Sequence, residues 1–413
     1  MKKLLLLAAF GLLASPALAQ NNSTVDSDGT GNMVDVVQSG ANTSTIDQDG
    51  TDNDADVDQD GTNTSDVEQD GTRQTADIDQ VGDGNSADAQ LGTFFGVSDI
   101  DAVIDQAGTG NSALVFNDGV DVDGSIEQDG TNNVANIVSG FSASDSNIDG
   151  TITQDGEGND ALLTQGGSDH VAFIDQVSDF NDADVDQSGI ANDANVAQEG
   201  LSNIAFVDQS ASDNAAIIEQ LGSTNDASLT QTGVNNEGQI AQGIYFGPGT
   251  ATGNTATLTQ SGSNNSSGSF GNGDDGATII QGDLGGSAMS NTADVTQSGD
   301  FGQALVVQGG QGTATGSDAT VNQGGTDNIV VVFQGSLNGG QSTDDTATVT
   351  QMNGSFNTAL IAQGVNGLVS SNNTATIMQD GSSNFAETTQ SNAGNMSTTN
   401  QVGSGNNATV VQN

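Results

Sequence analysis

The sequence predicts an all-β protein built as a parallel β-solenoid, a cross-β ladder of stacked rungs with two strands in each rung. Three observations predict it. Glutamine recurs at 154, 165, 176, 187, 198, 209, 220, 231 and 242, a spacing of 11 held without a break. Within a beat the residues alternate in type, with Asn192, Ala194, Val196 and Gln198 set against Asp193, Asn195 and Ala197. Gly then stands two residues after the glutamine, as at Gly189, Gly200 and Gly222. Period-two alternation over about seven residues is the mark of a strand with two unlike faces. Glycine supplies the corner because it tolerates positive φ.

The first element is not part of the solenoid. Lys2 and Lys3, the apolar run Leu4 to Leu13 and the small-x-small site Ala17-Leu18-Ala19 read as a secretory signal peptide over 1–19. Secretion to the extracellular side of a bacterial cell is the expected localisation. No later stretch approaches the roughly 18 apolar residues of a membrane helix, so no membrane insertion is expected.

Residues 20–250 form the acidic part of the repeat. Of the 54 acidic residues, 43 precede position 251 and 11 follow it. The same register gives Asn53, Ala55, Val57 and Gln59, and Asn225, Ala227, Leu229 and Gln231. Because the aliphatic position alternates with Asp, the aliphatic face must point inward, and Asn and Gln go inward with it. A lone buried amide is costly. Identical amides stacked at about 4.8 Å bond to the copies above and below, which removes the cost. The expected structural ladder therefore includes Asn53, Gln59, Gln154, Gln165, Gln176, Gln187, Asn192, Gln198, Gln209, Gln220, Asn225, Gln231, Gln242, Gln379, Gln390 and Gln401.

Spacing defines the rung. The early glutamines 38, 48, 59, 69, 80 and 90 alternate gaps of 10 and 11, so the unit is two beats, or 21–22 residues. Counting 29 glutamines on the beat from Gln38 to Gln412 gives about 15 rungs, a ladder of ~70 Å. A triangular solenoid of three arcs would instead show a period of three. The beat blurs over 91–153, where Asn117 and Ser139 stand in for Gln, and again over 243–296. Bulged rungs or hinges are the expectation there.

Residues 251–413 continue the same solenoid in a Thr/Ser/Asn-rich composition. Gaps of 15 to 17 alternate with shorter ones from Gln281 to Gln390. One corner per rung is thus enlarged, around Gly285-Gly286, Gly309 to Gly316, Gly339-Gly340 and Gly367 to Ser371. These corners should stack along one edge.

Composition excludes several functions. Beyond the signal the chain has one cation, Arg73, one His and no Cys. Binding nucleic acid through its phosphates needs Lys and Arg and is not expected. Disulfides and thiolate metal sites cannot form, and most nucleophile–base pairs cannot be built. Paired carboxylates could serve a glycosidase, but here they are regular and outward, so no enzyme is expected. Asp56-Val57-Asp58-Gln59-Asp60-Gly61 opens like an EF-hand loop, but Val67 stands where the twelfth-position Glu belongs. No cofactor and no specific metal site are expected. Asp58 should stack on Asp79, and Asp47 on Glu68, and these columns are diffuse candidates for Ca²⁺. His170 falls in the Asn slot of its beat and reads as a ladder substitution.

The motif Gln-x-Gly-x-x-Asn-x-Ala-x3-Gln resembles the curlin repeat of curli, the secreted bacterial amyloid. Gln187, Gly189, Asn192, Ala194 and Gln198 fit it, as do Gln220, Gly222, Asn225, Ala227 and Gln231, and Gln379, Gly381, Asn384, Ala386 and Gln390. The resemblance covers essentially all of the chain after the signal. It implies an amyloid subunit that leaves the cell through an outer-membrane pore, meets a nucleator subunit and self-associates into fibres for adhesion and biofilm matrix. The chain departs from the family in having many more rungs, Asn where the family has Ser, and a heavy acid load. Two other readings stand beside it. One is a monomeric acidic solenoid that binds Ca²⁺ or presents its late corners to a ligand or to ice. The other is a polysaccharide-active β-helix enzyme.

Overall fold

The computed structural model describes residues 20–92, 98–142, 144–243, 250–265, 277–282, 285–336 and 338–413. The expected signal peptide and its cleavage site lie outside these residues. The described residues form 35 strands and no helix, and all strands join one continuous sheet.

The pairing is parallel and in register throughout. Asp160–Ser168 pairs with Asp182–Ile190, setting Ala161 on Ala183 and Gln165 on Gln187. Val171–Val177 pairs with Asp193–Leu201, setting Ala172 on Ala194 and Gln176 on Gln198. In the front half each strand skips its neighbour in sequence, so one rung holds two arcs, and the chain climbs as a parallel β-solenoid of about 17 turns. The fold class is the one the repeat predicts.

The core is a thin seam between the two arcs. Ala194, Val196, Ala183 and Val185 are all at most 1% exposed. Alternation along Asp182–Ile190 leaves Asp182 and Asp186 outside. The inward faces meet closely: a Cβ built on Gly150 would lie 2.8 Å from Leu163 Cδ2. So narrow a seam cannot stabilise one rung by itself. Stability is a sum over neighbouring rungs.

Three differences from the sequence reading appear. The first concerns Gln90, which was counted on the beat. Leu91, not Gln90, takes the ladder place and pairs with Asn117. Gln90 points outward and donates to Asp88 at 2.9 Å. Further places on the inner columns hold Ser27, Asn117 and Ser139. A count of glutamines therefore falls short of the about 17 turns observed.

The second difference lies in the back half. The enlarged corners do stack along one edge, and they do so as a third short strand. Thr250–Thr252, Ser287–Met289, Thr313–Thr315, Gln341–Thr343 and Val369–Ser371 pair in sequence. Their central residues Ala251, Ala288, Ala314, Ser342 and Ser370 are buried. Three arcs per rung thus replace two, although the third is only three residues long.

The third difference is on the outer face, in the back half, of the second arc, the one whose ladder residues are Gln281, Gln308 and Gln334. Ile280, Leu305 and Val307 are almost fully covered there and pack with Val331 and Phe333. The enlarged corner leans on this patch: a Cβ on Gly310 would sit 2.8 Å from Val307 Cγ1.

Among the described residues of the 91–153 region pairing continues. Ile100 stacks on Val122 and Val122 on Ile148. The ladder changes composition here without losing a rung.

Candidate functional site

One amide column runs unbroken from Gln38 to Gln412. Gln38 donates Nε2–H to Gln59 Oε1 at 2.7 Å, and Gln59 to Gln80 at 2.7 Å. Gln154 donates to Gln176, Gln176 to Gln198, Gln198 to Gln220 and Gln220 to Gln242, all at 2.8–2.9 Å. Gln242 reaches Gln281 at 2.7 Å although 39 residues separate them. The column closes with Gln390 to Gln412 at 2.7 Å.

The second column lies in the other arc. Gln165 donates to Gln187, Gln187 to Gln209, Gln209 to Gln231 and Gln231 to Gln260, all at 2.7–2.9 Å. Gln379 donates to Gln401 at 2.9 Å. Leu91 interrupts this column. It resumes where the Ser139 hydroxyl donates to Gln165 Oε1 at 3.2 Å.

Each buried glutamine amide has its other N–H to place. Gln198 gives it to the Asp182 carbonyl at 2.9 Å, across the corner, and Gln176 gives its own to Asp160 O at 2.9 Å. The asparagines form parallel columns. Asn192 Oδ1 accepts from Asn214 N at 3.1 Å and from Asn214 Nδ2 at 3.2 Å. Asn225 Oδ1 accepts from Asn254 N at 3.2 Å, and Asn53 Oδ1 from Gln74 N at 3.2 Å. Buried amides carry no unmet cost when each bonds to the rung on either side.

Among the described residues, two ionisable side chains, His170 and Asp345, occupy Asn places. His170 is fully buried. Asn192 donates its main-chain N–H to His170 Nδ1 at 3.2 Å, so Nε2 carries the proton shared with Gly166 O at 3.1 Å. The ring copies both bonds of an asparagine. Burial pushes its pKa below the ordinary imidazole value. Asp345 is the other case. Its carboxylate accepts from Asn373 N at 2.8 Å and from the Ser342 hydroxyl at 2.6 Å. Burial still holds its pKa above the usual carboxylate value.

The outward acids stack as expected. Asp47 lies on Glu68, and Asp79 on Asp105, which lies on Glu127. Partial burial first, and then the carboxylates of Asp105, Asp58 and Asp77, raise the pKa of Asp79. Glu68 is raised by burial and by Asp47, Asp66, Asp70 and Asp88. Among the described residues no group of three or more His, Asp or Glu is placed to hold a metal ion. Arg73 forms a forked pair with Asp99 of the next rung at 2.5 Å, with both side chains substantially exposed.

Together these features define a protein class, a parallel β-solenoid with one continuous glutamine column and a second that is interrupted at Leu91. Within it, the curlin associated repeat matches residues 29–61, 146–177, 191–222 and 202–233, so the chain carries curlin repeats at four places. No curated protein matches it. No helix among the described residues is long and apolar enough to cross a membrane.

Proposed function

We propose that the chain is a secreted structural subunit that self-associates into curli-like amyloid fibres for surface adhesion and biofilm matrix. The observation that carries this reading is the unbroken column from Gln38 to Gln412, in which every buried amide is completed by a rung above and a rung below. A rung from a second copy offers the same columns at the same spacing. Edges of this kind favour addition of another chain. Export through an outer-membrane pore and nucleation by a related subunit fit the curlin repeats. The role is structural rather than enzymatic. The outward carboxylates form repeating columns instead of one local cluster.

A second reading is favoured by those columns. Carboxylates stacked from Asp58 through Asp79 to Asp105 repel one another by about 1 kcal/mol per neighbouring pair even in water. A monomeric solenoid that takes up Ca²⁺ diffusely along them would gain stability.

The test is to dilute chain 20–413 from denaturant, with and without Ca²⁺, and follow it by negative-stain microscopy and fibre diffraction. Long filaments with a meridional reflection near ~4.8 Å are expected. Short rods that never elongate would reject the fibre reading and leave the cation-binding solenoid.

A further inference from the structure

The outer face of the first arc, the one whose ladder residues include Gln187, Gln260 and Gln379, changes character along the rod. In the front half it carries Asp182, Asp184 and Asp186 in one strand. From Thr255 onward the same face turns to threonine. Its central column runs Thr257, Asp294, Thr320, Thr348, Thr376 and Thr398 in register. Thr292, Thr346 and Thr374 lie in the column on one side of it. Thr296 and Thr350 lie in the column on the other. All of these side chains are exposed or half-buried.

The rungs do not themselves demand threonine. The other arc of the same turns shows Leu305, Val307, Val331 and Phe333 at equivalent outward positions. The face is therefore one-sided. It is also sparsely charged, with Asp294, Asp318 and Asp380 as its carboxylates between Thr255 and Gln401.

In-register stacking gives this face order in two dimensions. Where threonine holds the place, hydroxyls and methyls recur every ~4.8 Å from rung to rung and about 6.7 Å along each strand, while Asp318 and Met396 interrupt one flanking column and Asn322, Met378 and Asn400 the other. Branching at Cβ restricts χ1, so these groups are held in place before any partner arrives. A partner that fits must be uncharged, flat and periodic in both directions. No aromatic ring stands on this face between Thr255 and Gln401, so it offers no platform for stacking on sugar rings. The repeat is close to the spacing of water oxygens on the prism face of ice.

We propose that this threonine face adsorbs to ice, with hydroxyls taking lattice positions and methyls holding water in the gaps between them. The site lies on the strands of the first arc and not on the enlarged corners.

The experiment uses chain 20–413, assayed by ice-affinity partition and by thermal hysteresis with observation of crystal shape. Thr348→Lys and Thr376→Lys project into solvent, so the solenoid stays intact, which far-UV circular dichroism verifies. Thr153→Lys on the other arc is the matched control. The native chain and the control are expected to enter ice and facet its crystals, and both central-column variants to lose this. Absence of ice adsorption by the native chain would overturn the proposal. So would adsorption unchanged in the two variants, or binding confined to crystalline cellulose or chitin. Filaments are scored separately in the same samples, because the face is present in one copy as in many.

Discussion

Asn192 donates its backbone N–H to Nδ1 of His170, 22 residues earlier in the chain, at 3.2 Å. That bond needs the unprotonated nitrogen. The neutral tautomer is therefore part of the ladder.

Acid should weaken this rung specifically. The folded pKa of His170 lies below the unfolded value of 6.5. The unfolded chain then binds more protons as pH falls through about 6.5, and folding loses stability in that range. His170→Asn restores an asparagine and removes the titration. Urea midpoints of the two proteins should diverge between pH 7 and pH 5, with the variant falling less. Parallel curves would refute the assignment.

The acidic columns act in the opposite sense. A carboxylate whose folded pKa is raised contributes stability below its unfolded pKa and loses it as pH rises through the folded value. Asp79, Glu68 and Asp105 are all raised. Asp79→Asn with Asp105→Asn should raise the melting temperature at pH 7 and have little effect near pH 4. Added Ca²⁺ should stabilise the native chain more than this double variant. Equal Ca²⁺ responses would remove these columns as cation sites.

Gln198→Ala breaks the continuous column at its middle. It strips Gln176 of its acceptor and Gln220 of its donor, both buried. Leaving a buried donor unmet costs about 1–3 kcal/mol, before the cavity is counted. A lower urea midpoint is expected, together with faster amide exchange in the rungs on either side. Gln90→Ala, on an outward side chain, should change neither.

Two glycines separate steric need from conformational need. Gly200 has φ +129°, and a Cβ there would lie 1.9 Å from Gly222 O in the next rung. Gly339 has φ +78°, with nothing within 4 Å of such a Cβ. Gly339→Ala should cost only the left-handed strain, about 1–2 kcal/mol. Gly200→Ala must also push two rungs apart, and thermal melting should show a distinctly larger loss.

Much of this architecture is legible in the sequence, and the exceptions have one physical origin. From the Asn place to the next ladder place is always six residues: Asn53 to Gln59, His170 to Gln176, Asn192 to Gln198, Asp345 to Gln351. All variation in length lies in the corner between a ladder residue and the next Asn place. Counting from glutamine to glutamine mixes the fixed arc with the variable corner. That is how Gln90 came to be read as a ladder residue. The corner after Gln80 is one residue longer than the corner after Gln59, because Asn85 lies five residues on and Asn63 four. In a strand, one extra residue exchanges the inward and outward faces. Counting six from Asn85 arrives at Leu91. Asn117 and Ser139 were legible by the same arithmetic. The third short strand was hidden because Thr-Ala-Thr within a glycine-rich corner is too brief for periodicity to register. The covered patch at Val307 depends on how the corner folds back, which no local pattern encodes.

The fixed arc and the free corner uncouple the size of the polypeptide from the size of the object it builds. Rod length follows the number of six-residue arcs. Residues added between Gln308 and Ser317, where the corner already spans nine positions against five between Gln220 and Asn225, would widen the rod and leave its length unchanged. A foreign peptide spliced there would be displayed on one edge, repeated at rung spacing if every such corner carried it. The molecule is in this respect a ruler with attachment points.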